Sequence, residues 1–174
     1  MTWEECRRDV PILEQGIGAY PLCYLDNGAT TQLPEPVLRE MELQYHRYEA
    51  NVHRGIHYLS EASTRRMEDA REDVRRFLGA ASTEEIIFTS GCTAAINLVA
   101  RSLSFSGLTP EDELLTTQME HHSNFLPWQE ACRRTGADFR VAPVLPNGRL
   151  NLETFSQMLT QRTKLVAITW VSNV

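Results

Sequence analysis

The chain has 174 residues, a net charge of −6 and 42% hydrophobic side chains, enough apolar material for one ordinary core and too much for a disordered chain. The acidic balance excludes the electrostatic footprint of a nucleic-acid binder, and no apolar run is long enough to span a bilayer. Residues 1–10 contain Glu4, Glu5 and Asp9 and no apolar stretch, so they do not read as a signal peptide. Cys6, Cys23, Cys92 and Cys132 form no CxxC pair, which argues against zinc and a disulfide framework and for a reducing cytoplasm.

In chain order, a short helix is expected within residues 2–15. Tyr24-Leu25-Asp26 leads into the turn dipeptide Asn27-Gly28. Pro34 and Pro36 open a helix whose apolar positions Val37, Met41, Tyr45 and Tyr48 follow helical spacing. After a loop at 49–58, a second helix spans about 60–78. There Arg65, Arg66, Arg71, Arg75 and Arg76 mix with Glu68, Asp69, Glu72 and Asp73, a solvated face with i,i+4 pairs. Strands at 85–89, 113–117, 139–143 and 164–171 then alternate with helices at 93–102, 123–135 and 152–159, the last capped by Asn151. This rhythm predicts an α/β fold, a parallel sheet with flanking helices. Chemistry in such sheets sits at the carboxyl ends of the strands.

Four segments fall at or near those places. Thr89-Ser90-Gly91-Cys92-Thr93 joins a strand to a helix. The glycine permits close backbone approach, and a helix's first turn suits a phosphate. The segment is neither GxGxxG nor a Walker loop, and an ordinary βα turn accounts for it equally well. Glu120-His121-His122-Ser123-Asn124 follows a strand. A histidine there can stack on a planar ring or move protons, and a plain polar loop with a helix cap is the alternative. In Asn51-Val52-His53-Arg54-Gly55-Ile56-His57, the histidine spacing would suit a metal only on a helix, which Gly55 opposes. Anion binding by Arg54 or structural hydrogen bonds fit better. Ser172-Asn173 ends the last strand, where an amide can meet a ligand or simply close a turn.

Taken in order, these segments resemble the class V aminotransferase family, and within it the Suf-type cysteine desulfurases. The resemblance is carried by Tyr24-Leu25-Asp26-Asn27-Gly28-Ala29-Thr30-Thr31, which looks like that family's opening strand and turn, and by Asn51-Val52-His53-Arg54-Gly55, Thr89-Ser90-Gly91-Cys92-Thr93, Glu120-His121-His122-Ser123-Asn124 with Pro127-Trp128, and Val171-Ser172-Asn173-Val174. It implies a fold-type I large domain at residues 24–174, incomplete, behind an N-terminal helical arm at 1–23. It implies pyridoxal 5'-phosphate as cofactor, L-cysteine as substrate, and L-alanine with an enzyme persulfide as products for iron–sulfur cluster assembly. It also implies a homodimer and a sulfur-acceptor protein. By the same resemblance Cys92 and Thr93 hold the cofactor phosphate and His121 lies on the ring and moves protons. Asn173 meets the ring hydroxyl, and Asn27, Gly28 and His53 lie on the substrate side. No metal is implied.

The family commonly has alanine at position 28, threonine at 92 and glutamate at 94, where this chain has Gly28, Cys92 and Ala94. The change at 92 removes one possible phosphate bond. The cofactor-anchoring lysine, the acidic partner of the ring nitrogen and the sulfur-accepting cysteine are expected downstream of Val174. Lys164, the single lysine, matches the entry of its strand rather than the site. These 174 residues alone are therefore expected to be inactive and, with an apolar edge strand uncovered, poorly soluble. The alternatives are another class V enzyme (selenocysteine lyase or aminotransferase), a truncated product that only binds a partner subunit, and, ranked last, a metal-binding module.

Overall fold

The computed structural model describes residues 2–172 in two compact units, 2–87 and 88–172.

In the first unit, α1 (Trp3–Arg8) opens with a capping box. Thr2 Oγ1 accepts from the Glu5 N–H, and Glu5 Oε2 accepts from the Thr2 N–H. Helix α1 is the short helix expected within 2–15, and it goes no further because Pro11 has no N–H and pushes Val10 out of helical geometry. A 3-10 turn, Pro11–Glu14, follows instead. A two-residue ladder pairs β1 (Gly16–Ile17) with β2 (Tyr20–Pro21), and Arg7 donates to the carbonyls of Leu13 and Leu22, at 2.7 Å each. No strand forms at 24–26. Tyr24 donates its hydroxyl to the carbonyls of Asp26 and Thr30, and the Ala29 and Thr30 N–H groups also turn back to Asp26. The segment is folded onto itself and offers no ladder.

The helices α2 (Glu35–Arg47) and α3 (Tyr58–Leu78) complete the unit. Arg66 joins them. It bonds Gln44 at 3.2 Å, pairs with Glu40, and lies 4.5 Å above the Tyr48 ring. Gly79, at φ 71°, ends α3 in the left-handed conformation that glycine adopts without strain. The strand expected at 85–89 is absent too. Glu85 finishes a 3-10 turn capped by Ser82, the Ile86 N–H returns to Thr83, and the Ile86 carbonyl accepts from Arg71. The stretch is extended at Ile86 but has no ladder partner among the described residues.

The second unit is the α/β part. It runs α4 (Cys92–Ser106), β3 (Glu113–Thr117), α5 (Leu126–Thr135), β4 (Asp138–Ala142), α6 (Leu152–Met158), β5 (Thr163–Ala167). The strands are parallel in the order β4-β3-β5, so the expected parallel sheet with flanking helices is present with three strands. Every residue of the central strand β3 is buried, as a strand covered on both faces must be. Leu114 packs with Ala100, Leu108, Trp128, Ala131 and Ala167 into the core that α4 and α5 cover. At the entry end Glu113 accepts from Thr160 (2.8 Å) and Arg140 (3.0 Å), and Lys164 stands 4.0 Å from Asp112. Strand β5 ends at Ala167, four residues earlier than expected, because the Thr169 N–H bonds a side chain at the exit end instead of a neighbouring strand.

Candidate functional site

The exit ends of β3 and β5 meet at one edge of the second unit. The loop after β3 is braced to both neighbours. Gln118 Oε1 accepts from the Val144 N–H beyond β4 (2.9 Å), and Glu120 Oε1 accepts from the Thr169 N–H beyond β5 (2.9 Å). His121 follows and precedes a short 3-10 turn, His122–Asn124. The expected helix at 123–135 begins only at Leu126, where Pro127 fits the first turn, so Ser123 does not cap it. Instead the Ser123 N–H donates to His121 Nδ1 at 3.1 Å, and Ser123 Oγ lies 2.8 Å from the same nitrogen.

Helix α4 supplies the facing wall. Its N-cap, Gly91, has φ 149°, a conformation that favours glycine, and no side chain caps the helix. Thr89 steadies the turn by donating its hydroxyl to the Gly91 carbonyl at 3.0 Å. The first-turn N–H groups are thus left for a ligand, at the positive end of a 15-residue helix. Thr93 Oγ1 has no partner among the described residues, and its carbonyl accepts from Asn97 (2.8 Å). Between α4 and α5 runs a groove of about 690 Å³ lined by Thr93, Asn97, Arg101, His121, Ser123 and Glu130, among others. Arg133 and Arg134 hydrogen-bond Glu130 and hold its carboxyl down at about 2, so this wall carries a paired carboxylate at any working pH.

Thr93 and His121 therefore share one groove, and Cys92 is exposed in the first turn of α4. The donor set fits a phosphate attached to a planar ring. The first turn of α4 has uncapped N–H groups, and Thr93 and His121 line the groove that runs from it. Asn27, Gly28 and His53 belong to the first unit. Asn27 and Gly28 are exposed in the turn after residue 26. His53 adopts φ 59°, its N–H bonds Thr64 Oγ1 at 2.9 Å, and its Nε2 lies 3.2 Å from Glu68. His57 caps α3 through Nδ1, so His53 and His57 are not a helical pair. Asn173 lies outside the described residues. Glu120, Gln118 and Thr169 received no role from sequence alone. The readable signal was the four-residue spacing of Glu120, Asn124 and Trp128, which hydrogen-bond in series.

Comparison with known proteins agrees with this architecture. Residues 23–174 match the family described as Aminotransferase class-V, and the chain belongs to that family. Among curated relatives, a probable cysteine desulfurase of Halalkalibacterium halodurans is 45% identical over 174 residues, all of this chain and 43% of that protein. One from Staphylococcus aureus is 46% identical over 170 residues, 98% of this chain and 41% of its own length. Among solved structures, the apo cysteine desulfurase of Thermococcus onnurineus NA1 superposes with a TM-score of 0.86 at 36% identity, covering all of this chain and 41% of that one. The chain thus spans under half the length of the relatives it matches. The likeness to cysteine desulfurases bears out the expected resemblance and the fold-type I assignment. No helix among the described residues is long and apolar enough to cross a membrane.

Proposed function

We propose that this chain is the cofactor-cradling part of a pyridoxal-phosphate-dependent cysteine desulfurase. The protein would convert L-cysteine to L-alanine and hold the sulfur as a persulfide for iron–sulfur cluster assembly. The observation that carries the reading is the shared groove of Thr93 and His121, set at the uncapped end of α4 and the exit end of β3. A likeness to cysteine desulfurases over the whole chain supports it.

In this reading the first-turn N–H groups at Cys92 and Thr93, with the Thr93 hydroxyl, hold the phosphate. The Cys92 side chain offers no hydroxyl, so backbone donors carry its share. His121 covers the ring face and holds a proton at Nε2, because its Nδ1 is engaged by Ser123. Asn173 meets the ring hydroxyl, and Asn27, Gly28 and His53 line the substrate side. The bound cofactor supplies an electron sink for bond breaking at the amino acid. Residues 24–174 form the cofactor-binding domain behind the arm at 1–23. The working protein is a cytoplasmic homodimer that hands sulfur to an acceptor protein, and these 174 residues by themselves do not turn over.

The test is to titrate the full-length protein with pyridoxal phosphate and follow absorbance and alanine release from L-cysteine. Thr93→Val should weaken cofactor affinity about tenfold to a hundredfold, the worth of one hydrogen bond to a charged group. Alanine release from selenocysteine alone, or affinity unchanged in Thr93→Val, would overturn the reading.

A further inference from the structure

Behind His121 lies a chain of hydrogen bonds whose polarity is forced at every link. Trp128, buried in the core, has an indole N–H that can only donate, and Asn124 Oδ1 accepts it at 2.9 Å. Asn124 must therefore turn its Nδ2 the other way, and it donates to Glu120 Oε2 at 2.7 Å. Glu120 Oε1 takes two more donors, the Thr117 hydroxyl at 2.8 Å and the Thr169 N–H at 2.9 Å. A carboxylate is an acceptor only, so it suits three donors as no neutral side chain can. One side chain thus fastens the end of β3, the segment beyond β5 and the helix α5 to the loop that carries His121. Within that loop the Ser123 N–H is an obligate donor to His121 Nδ1, which puts the neutral ring's proton on Nε2.

We propose that Glu120 is a positioning residue that acts through Asn124 and the Ser123 backbone to hold His121 as its Nε2–H tautomer, aimed along the groove beside Thr93. The inference deepens the reading of His121 as the group on the cofactor ring, and rests on it for its purpose but not for its test. The polarity of the chain makes a sharp prediction. In Glu120→Gln, one carboxamide oxygen must choose between the Asn124 amide and the Thr169 N–H, and the new amide donor faces whichever donor is left. Flipping Asn124 would only set two donors against each other at Trp128. In Asn124→Asp, two carboxylates face each other. In the double variant the glutamine amide donates to the new aspartate, which still accepts from Trp128, so the chain is whole again with one carboxylate.

The experiment is 15N–1H spectroscopy of the full chain labelled at histidine, without added cofactor, where protonated and bare ring nitrogens resonate far apart. Wild type, Ser123→Ala (which keeps the backbone N–H) and the double variant should show His121 with bare Nδ1 and protonated Nε2. Each single variant, Glu120→Gln or Asn124→Asp, should lose that separation. Single variants that keep the wild-type pattern would overturn the proposal. So would a double variant no better than the singles, whether folded or not, and so would loss of the tautomer in Ser123→Ala. Pyridoxal phosphate is then added. If it leaves His121 unmoved while the tautomer still follows the Glu120–Asn124 pairing, the positioning stands and the cofactor reading falls.

Discussion

At the scale of single residues, environment separates side chains of one type. Cys132 is a buried residue of α5, and loss of solvent, then the Asp138 carboxylate, pushes its thiol up to about 11. Its thiolate fraction at mildly alkaline pH is on the order of a hundredfold below that of a free cysteine. Cys23 and Cys92 are exposed. Alkylation of the native chain followed by peptide mapping should therefore label Cys23 and Cys92 and leave Cys132 unmodified until denaturant is added. Equal labelling of all three would contradict the packing around α5. The site residues were legible unevenly at this scale. His121 could be placed because it follows the apolar strand β3, and Thr93 because it opens a helix after Gly91, although among the described residues no strand leads into that turn. Glu120 could not be given its part, because that depends on a donor from Thr169, which is distant in sequence and reaches it only once β5 lies beside β3.

At the scale of elements, the clearest device is the hydroxyl edge of α3. Ser60 and Ser63 are buried, and Ser63 donates to the Tyr48 carbonyl. Ser60 Oγ donates to the Asn51 carbonyl at 2.7 Å and accepts from the Gly55 N–H at 3.0 Å, and Thr64 Oγ1 accepts from the His53 N–H. Three hydroxyls on one helix thus shape the loop that bears His53. A Cβ at Gly55 would lie 2.7 Å from both Cβ and Oγ of Ser60, so Gly55→Ala must push the loop off the helix. The expected cost is about 1–3 kcal/mol of stability, the usual range for overpacking. Denaturant titration should show it, and an unchanged midpoint would mean that the loop is not pinned. Helices were read well here because 3.6-residue periodicity is local. The strand expected at 85–89 and the opening strand that the family resemblance implied at 24–26 failed because an extended segment becomes a strand only if a partner exists. The Tyr24 hydroxyl in one case and Arg71 in the other took the carbonyls first.

At the scale of the whole molecule, the second unit is closed at its entry end by Glu113, the first residue of the central strand. Its carboxyl is held below the usual carboxylate range, chiefly by the Thr160 hydroxyl, then by Arg140, with Arg162 3.5 Å away. A lowered folded-state value means that its stabilisation is fully present above the unfolded carboxylate value, about 4.3, and is lost as pH falls through the folded value. Thermal melts taken from neutral pH downward should show this acid limb. Glu113→Gln should melt lower at neutral pH and show a flatter limb. A variant with an acid limb as steep as wild type would assign the effect elsewhere.

The same end of the sheet holds Lys164, paired with Asp112 across 4.0 Å. It is the single lysine of the chain, and the other strongly basic side chains are guanidinium groups. A guanidinium does not condense with an aldehyde, whereas a side-chain amine does. Within these residues an aldehyde therefore meets one competing side-chain amine. That amine sits beside a carboxylate at the entry end of β5, the opposite end from the groove of Thr93 and His121. The arginine-for-lysine bias thus leaves the groove without a side-chain amine that would condense with a reactive carbonyl compound and trap it off target.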